Sequence, residues 1–256
     1  STQFNQTTAE IYQVEVDDQY PYWLYGGQQD NYSTVSVPSN APYGVQAPDR
    51  AYIINTGGCE TGPAVPKPGN PDIVYANCKG RFSVYHKPSG TERRYDVGAS
   101  NMYGHNPKDL RFRFQRVSPI HVFPHNPDVV YHGSQYVHNT IDDGETWEII
   151  SPDLTAFEAD KQVISGRPLT RDITGEEFYS TIYSIRESTI KEGVIWVGAN
   201  DGPVHVTKDG GKNWTNVTPK GMPTGGRVDA VAPSPHDEAK AFVAILRYQL
   251  GDWKPY

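Results

Sequence analysis

The chain has 256 residues, a formal net charge of −7 and 36% hydrophobic residues, with a mean hydropathy of −0.63. That length suffices for a sizeable core in one or two domains; no apolar run approaches the roughly 18 residues of a membrane helix, and the acidic balance argues against nucleic acid as the main partner. Gly (24), Pro (21) and Tyr (17) are abundant and Met is rare (2), which points to short strands joined by hairpins.

In chain order, a short apolar strand recurs after turns rich in Pro, Asp and Asn. It is Tyr22–Tyr25 in "DDQYPYWLYGGQQDN", Ile73–Ala76 in "KPGNPDIVYANCKG" and Val129–His132 in "FPHNPDVVYHGSQ". It returns as Val194–Val197 in "STIKEGVIWVGANDG" and Ala241–Ile245 in "PSPHDEAKAFVAILR". The first residues of these strands are 51, 56, 65 and 47 positions apart, the scale of a propeller blade of about 40–50 residues with insertions. The third unit reads "RVSPIHVFP", "VVYHG", "QYVHNTI", "TWEIIS"; the fourth reads "YSTIYSIRE", "VIWVGA", "PVHVTK", "NWTNVTP". Each is a four-stranded meander. The segment 154–165 has room for one or two helical turns and no more. The expectation is an all-β chain, one β-propeller domain over 1–256 with four-stranded antiparallel blades at 10–50, 51–97, 111–152, 178–219 and 226–256, the last incomplete.

Two octets, "TIDDGETW" (140–147) and "TKDGGKNW" (207–214), share Thr, Asp, Gly and Trp at the same spacing. Both fall between the third and fourth strands of a unit. The Asp (Asp142, Asp209) can accept from backbone N–H groups of its own turn. The Gly (Gly144, Gly211) can take a positive φ. The Trp (Trp147, Trp214) can pack between neighbouring sheets, with Thr140 and Thr207 opening each turn. The repeat is therefore expected to staple the fold.

Only two cysteines occur, Cys59 and Cys78, too few for a zinc site. They are either two buried thiols or one disulfide closing a loop of about twenty residues and contributing roughly 3 kcal/mol. A secreted chain would favour the disulfide; Asn-x-Ser/Thr triplets stand at Asn5, Asn31, Asn213 and Asn216 and carry meaning only in a glycosylating host.

The pattern S/T-x-D-x-G-x-x-W resembles the Asp box of bacterial-neuraminidase-type repeats, found in sialidase-like and sortilin-type propellers. "YGGQQDN", "ISPDLT", "PLTRDITGEEFYSTIYSI", "GVIWVGANDGPVHVTKDGGKNWTNVTP" and "RYQLGDWKPY" are similar to secreted bacterial proteins labelled glycosyl-hydrolase-like or sortilin N-terminal-like. The resemblance runs over most of residues 10–256. It implies the propeller fold and an extracellular or periplasmic location, while a shared fold leaves the activity open. Members of that group continue beyond "GDWKPY" into another strand pair. The chain is thus expected to be part of a larger propeller, completed by further blades or another chain.

In a propeller the connections between second and third strands share a face with the blade-to-blade connections, opposite the octet hairpins. The former are 26–31, 76–80, 132–135 and 198–202; the long blade-to-blade insertions are 98–117 and 152–178. The channel mouth on that face is the expected binding site. Gln29, Asp30, Asn200 and Asp201 fall on its loops. In "KDLRFRFQR", strand alternation would send Arg111 and Arg113 to one side and Phe112 and Phe114 to the other, either as a salt-bridged inner strand or as a clamp for an anion. Arg171 lies in the second insertion.

A glycosidase needs two carboxylates facing each other across the channel, and Asp30, Asp172, Glu176 and Asp201 are the candidates. A turn-capping role for Asp30 and Asp201 is the simpler one. Sialidase chemistry would use several Arg and a Tyr–Glu pair, but the Arg-Ile-Pro signature of that enzyme is absent from the sequence. Five of the eight histidines lie between 105 and 138 without HxH or HExxH spacing, so no transition metal and no cofactor are expected; a structural Ca²⁺ held by loop oxygens is the one ion the composition allows. The functional expectation is a secreted module that binds a protein, peptide or glycan, with a glycoside hydrolase as the alternative.

Overall fold

The structure is a computed structural model that describes residues 10–30, 34–39, 53–98, 102–166, 169–171 and 178–256. The chain folds as a β-propeller. Blade 1 comprises β1 (Ile11–Val16), β2 (Trp23–Gln28), β3 (Thr34–Pro38) and β4 (Ile54–Asn55). Blade 2 comprises β5 (Ala64–Lys67), β6 (Asn70–Cys78), β7 (Arg81–His86) and β8 (Thr91–Asp96). Blade 3 comprises β9 (Ile120–Val122), β10 (Val130–Gly133), β11 (Val137–Thr140) and β12 (Glu148–Ile149). Blade 4 comprises β13 (Ile182–Glu187), β14 (Ile195–Ala199), β15 (Val204–Thr207) and β16 (Trp214–Asn216). A fifth, partial sheet pairs β17 (Arg227–Pro233) with β18 (Ala241–Leu246). All pairings are antiparallel. The outer strand of blade 1 lies beyond residue 50, so the sequence boundary between the first two blades falls a few residues early. The expected helical turns of 154–165 reduce to one 3₁₀ turn at Ala159–Lys161.

Consecutive blades pack face to face, with β1, β5, β9, β13 and β17 innermost. The core is accordingly divided among the blade interfaces. Tyr75, Phe82, Phe114, Ile120 and Val130 fill the one between blades 2 and 3; Tyr131, Val137, Ile182 and Val197 fill the next. Val194, Trp196, Val228 and Ile245 sit between blades 4 and 5. Phe114 stacks on the His132 ring (centroids 5.0 Å apart) and on the His138 ring (5.6 Å), two cross-strand partners of blade 3. Burial holds His132 down to about 4 and His138 to about 3, so both imidazoles are neutral packing groups. The β6–β7 hairpin turns on Lys79 (φ 53°) and Gly80 (φ 88°), a two-residue connection of the kind that matches strand twist. A Cβ at Gly80 would stand 2.3 Å from the Phe114 ring, so glycine is required by packing as well as by φ.

The two octets fold identically. The Thr140 hydroxyl donates to Asp142 Oδ1 (2.8 Å) and accepts from the Gly144 N–H (2.9 Å), while Asp142 Oδ1 accepts from the Thr146 N–H (2.8 Å). Thr207, Asp209, Gly211 and Asn213 repeat these bonds at 2.8, 3.0 and 2.9 Å. Donors from the turn hold Asp209 down to about 2. Each Trp indole N–H returns to the carbonyl of the octet glycine, at 2.9 Å for Trp147 and 3.1 Å for Trp214. The rings then reach the preceding blade: Trp147 meets Phe82 edge-on at 5.0 Å, and the Trp214 N–H also donates to Ile150 O at 2.9 Å. The octets thus tie each hairpin to itself and to its neighbour.

At the octet-side end of β13 sits Glu187, only 3% exposed. Its carboxylate accepts from the Gly193 N–H (2.7 Å) and the Tyr131 hydroxyl (3.2 Å). No cation pairs with it among the described residues, and burial pushes its pKa up to about 7.

Candidate functional site at the channel mouth

The inner strands begin on the face opposite the octets, where they enclose a cavity of about 270 Å³. Strand geometry explains why. Three inner strands carry one residue more than the partner strand matches. In β1 the register slips between Tyr12 and Glu15, in β13 between Ile182 and Ser184, and in β17 between Val228 and Ala230. The inserted residues are Gln13 or Val14, Tyr183 and Asp229. Gln13, Tyr183 and Asp229 all line the cavity. Bulges turn a side chain out of the regular alternation, and here three of them aim at one space. Gln13 holds φ 46°, backbone that a residue with a Cβ adopts only at a cost of about 1–2 kcal/mol. β5 also slips, but at Pro66–Lys67 beside its own hairpin.

Two arginines complete the wall. The Arg227 guanidinium lies 4.5 Å from the Tyr183 ring centroid and pairs with Asp229 at 2.7 Å. Arg116, from the connection leading into β9, lies 5.4 Å from the Tyr12 ring centroid and donates to the Tyr12 hydroxyl at 3.2 Å. Its backbone is held by Asn77, whose side-chain amide donates to Arg116 O at 2.8 Å. Gln115 and Gln249 add carboxamides. An adjoining chamber of about 160 Å³ shares Gln115, Tyr183, Arg227 and Gln249 and adds Asn200 and Arg247. Farther along the axis, Arg186 of β13 pairs with Glu15 of β1 at 2.7 Å. His121 of β9 accepts from the Glu187 N–H at 3.1 Å, and burial with the nearby Arg186 charge holds it neutral, at about 3.

The sequence-derived candidates divide. Asn200 lines the adjoining chamber, fixed by the Thr181 N–H (2.9 Å) and Phe178 O (2.8 Å). Gln29 is not among the lining residues; its side-chain oxygen lies 2.8 Å from the hydroxyl of Tyr12, which does line the cavity and also meets Glu10 at 2.7 Å. The others are elsewhere. Asp30 is an exposed turn residue with φ 66° whose N–H donates to Glu60. Asp201 is buried and accepts from the Ala156 and Phe157 N–H groups, at 2.9 and 3.2 Å; burial raises its pKa. Its task is to pin the second insertion.

Arg111 and Arg113 do not share a face. Residues 111–114 form no strand, and Phe112, Arg113 and Phe114 are all buried. Arg113 spends its charge on Asp153 (2.7 Å) and donates to Ser180 O (2.8 Å), so it is no anion clamp. Arg111 is exposed, its guanidinium 4.8 Å from the Phe112 ring centroid, and Arg171 is exposed. Asp172 and Glu176 lie outside the described residues. Cys59 and Cys78 are joined in a disulfide. Among the described residues no cluster of three or more His, Cys, Asp or Glu is placed to hold a metal ion, and no helix is long and apolar enough to cross a membrane.

No protein-family profile and no curated protein matches the sequence. Solved structures do share its fold. A GH74 xyloglucanase from Xanthomonas campestris matches 87% of this chain over 32% of its own, at 17% identity and TM-score 0.53. U3-55K matches 96% of this chain over 64% of its own, at 12% identity and TM-score 0.52. The Cps50 (Swd1) β-propeller domain of Myceliophteria thermophila matches 94% over 65%, at 10% identity and TM-score 0.54. At such identities the likeness is one of fold, the β-propeller. The chain spans about a third of the xyloglucanase and just under two-thirds of the other two.

Proposed function

We propose that the protein is a secreted binding module that seats its ligand at the channel mouth. The observation that carries this is the convergence of three bulged residues, Gln13, Tyr183 and Asp229, on one polar cavity. Bulges of this kind relinquish ladder pairing, and strained backbone gathers where function needs it. The disulfide and the resemblance to secreted Asp-box proteins support the extracellular location. Apolar side chains exposed on the outermost blades, Val14 (60%) on β1 and Phe242 (75%) on β18, support a further protein contact, such as additional blades or another chain.

The cavity favours binding over glycoside hydrolysis. Asp229 is the one carboxylate among its described lining residues, whereas the hydrolytic reading needs two facing each other. The test is a screen of glycan and peptide arrays with the native protein and with Gln249→Trp, which fills the mouth. Ligands captured by the native protein and lost in the variant support the seat. Equal capture by both places binding elsewhere, and turnover of a glycan would replace the module with an enzyme.

A further inference from the structure

Glu187, at the end of β13 in blade 4, joins two blades and two turns through its side chain. Its Oε1 accepts from the Gly193 N–H in the β13–β14 turn at 2.7 Å, and its Oε2 meets the hydroxyl of Tyr131, on β10 of blade 3, at 3.2 Å. Gly193 passes the connection on, because its carbonyl accepts from the Gly210 N–H of the second octet turn at 3.1 Å. The two turns approach closely: Gly193 has φ +78°, and a Cβ there would stand 3.1 Å from the Gly210 nitrogen. One carboxyl therefore ties blade 3, the β13–β14 turn and the octet hairpin together.

That tie depends on charge. Protonated, the carboxyl gives one oxygen to the Gly193 N–H and its O–H to the Tyr131 oxygen, so no charge is buried. Ionised, it sets one N–H and one hydroxyl against a full charge in a site only 3% exposed, and a buried charge without a cation is costly. The groups around it do not relieve this. Burial and the Glu187 charge push the ionisation of Tyr131 up, so that phenol stays neutral. His125, whose Nε2 donates to Ser188 O at 2.8 Å, favours the ionised carboxyl, and Glu192 on the turn opposes it. Lys191, Lys208 and Asp209 on the two turns are exposed. Arg186, the neighbour of Glu187 on β13, is paired with Glu15, and His121 is neutral. Burial outweighs the rest and moves the carboxyl from 4.5 to about 7.

We propose that Glu187 is a proton-operated latch: with its proton it fastens the β13–β14 turn to blade 3 and to the second octet, and on losing the proton it releases that turn. The device is independent of the ligand seat, which lies at the other end of β13, where Tyr183 lines the cavity.

Opening the turn returns the carboxyl to water and to its ordinary value of 4.5. Because the folded value is the higher one, the closed state is favoured in acid, and its advantage is lost as pH rises through about 7. The opening equilibrium therefore grows about 100-fold between about pH 4.5 and about pH 7.5.

The test is amide hydrogen exchange by NMR over that range, each rate divided by the rate of the same amide in an unstructured peptide at the same pH. Gly193 and Gly210 should open about 100-fold more at the upper end than at the lower. They should also exchange faster than Ile195 and Val197, fully buried residues of β14, whose amides report global unfolding. In Glu187→Gln, which keeps the shape and cannot ionise, their opening should not change with pH. A flat profile in the native protein would overturn the proposal, and so would an equally steep one in Glu187→Gln. Exchange of Gly193 and Gly210 no faster than that of Ile195 and Val197 would show global unfolding and no latch. Direct titration of the Glu187 side-chain carbon in the native protein needs no variant: a midpoint near 4.5 instead of about 7 would also overturn it.

Discussion

Replacing Glu187 with Gln should stabilise the protein at about pH 8 and leave it nearly unchanged near pH 4. The carboxyl is 3% exposed and faces the Gly193 N–H and the Tyr131 hydroxyl instead of a cation. Burial moves it from 4.5 to about 7. The folded value is raised, so this group's contribution is fully present below the unfolded value and is lost as pH rises through the folded one. A displacement of that size corresponds to about 3 kcal/mol, withdrawn between about pH 4.5 and somewhat above 7. Gln keeps the oxygen for the Gly193 N–H, and the Tyr131 hydroxyl can turn to accept from its amide. The assay is urea unfolding of both proteins at a series of pH values. Other titrating groups cancel in the difference between the two curves, which should climb from near zero to about 3 kcal/mol, or about 6–12 °C in melting temperature. A difference that stays flat with pH would refute the claim that Glu187 is charged at a cost.

Gly211→Ala should cost about 3 kcal/mol, since the residue has φ +97° and a Cβ would stand 2.6 Å from Ile150 O. Gly210→Ala next to it, at φ +70° with open space, should cost about 1 kcal/mol, and urea midpoints compare the two. Arg113→Leu should lose about 3 kcal/mol, because it strands Ser180 O and Asp153; a loss below about 1 kcal/mol would show that Arg113 is not structural. Converting both Cys59 and Cys78 to Ser should lower stability by about 3 kcal/mol, read as a fall in urea midpoint against the oxidised native protein.

The blades were legible because four-stranded meanders repeat a local pattern of alternation and turns, and the octets were legible because their bonds lie within eight consecutive residues. What the sequence concealed was tertiary. Arg113 looked like one face of a strand, but its partner Asp153 lies 40 residues on and no strand forms around it. Asp201 looked like a cap for its own turn, but it holds Ala156 and Phe157 of a distant insertion. β4 is two residues long and carries no period of its own. The cavity did leave a trace. Ile182 and Ile185 in "IYSI" and Val228 and Val231 in "VDAV" are aliphatic residues three apart, whereas a regular strand places its apolar face at every second residue. That broken period marks the bulges that aim Tyr183 and Asp229, and it is visible without coordinates.

The central claim is that ligand sits where the three bulges converge. The direct measurement is backbone and side-chain NMR shift mapping of the native protein with the tightest ligand from the arrays. The largest changes should fall on Gln13, Tyr183, Arg227 and Asp229, with the octet turns at 140–147 and 207–214 unmoved. Changes centred on the octets, or on Asp30 and Asp201 with the cavity silent, would contradict it.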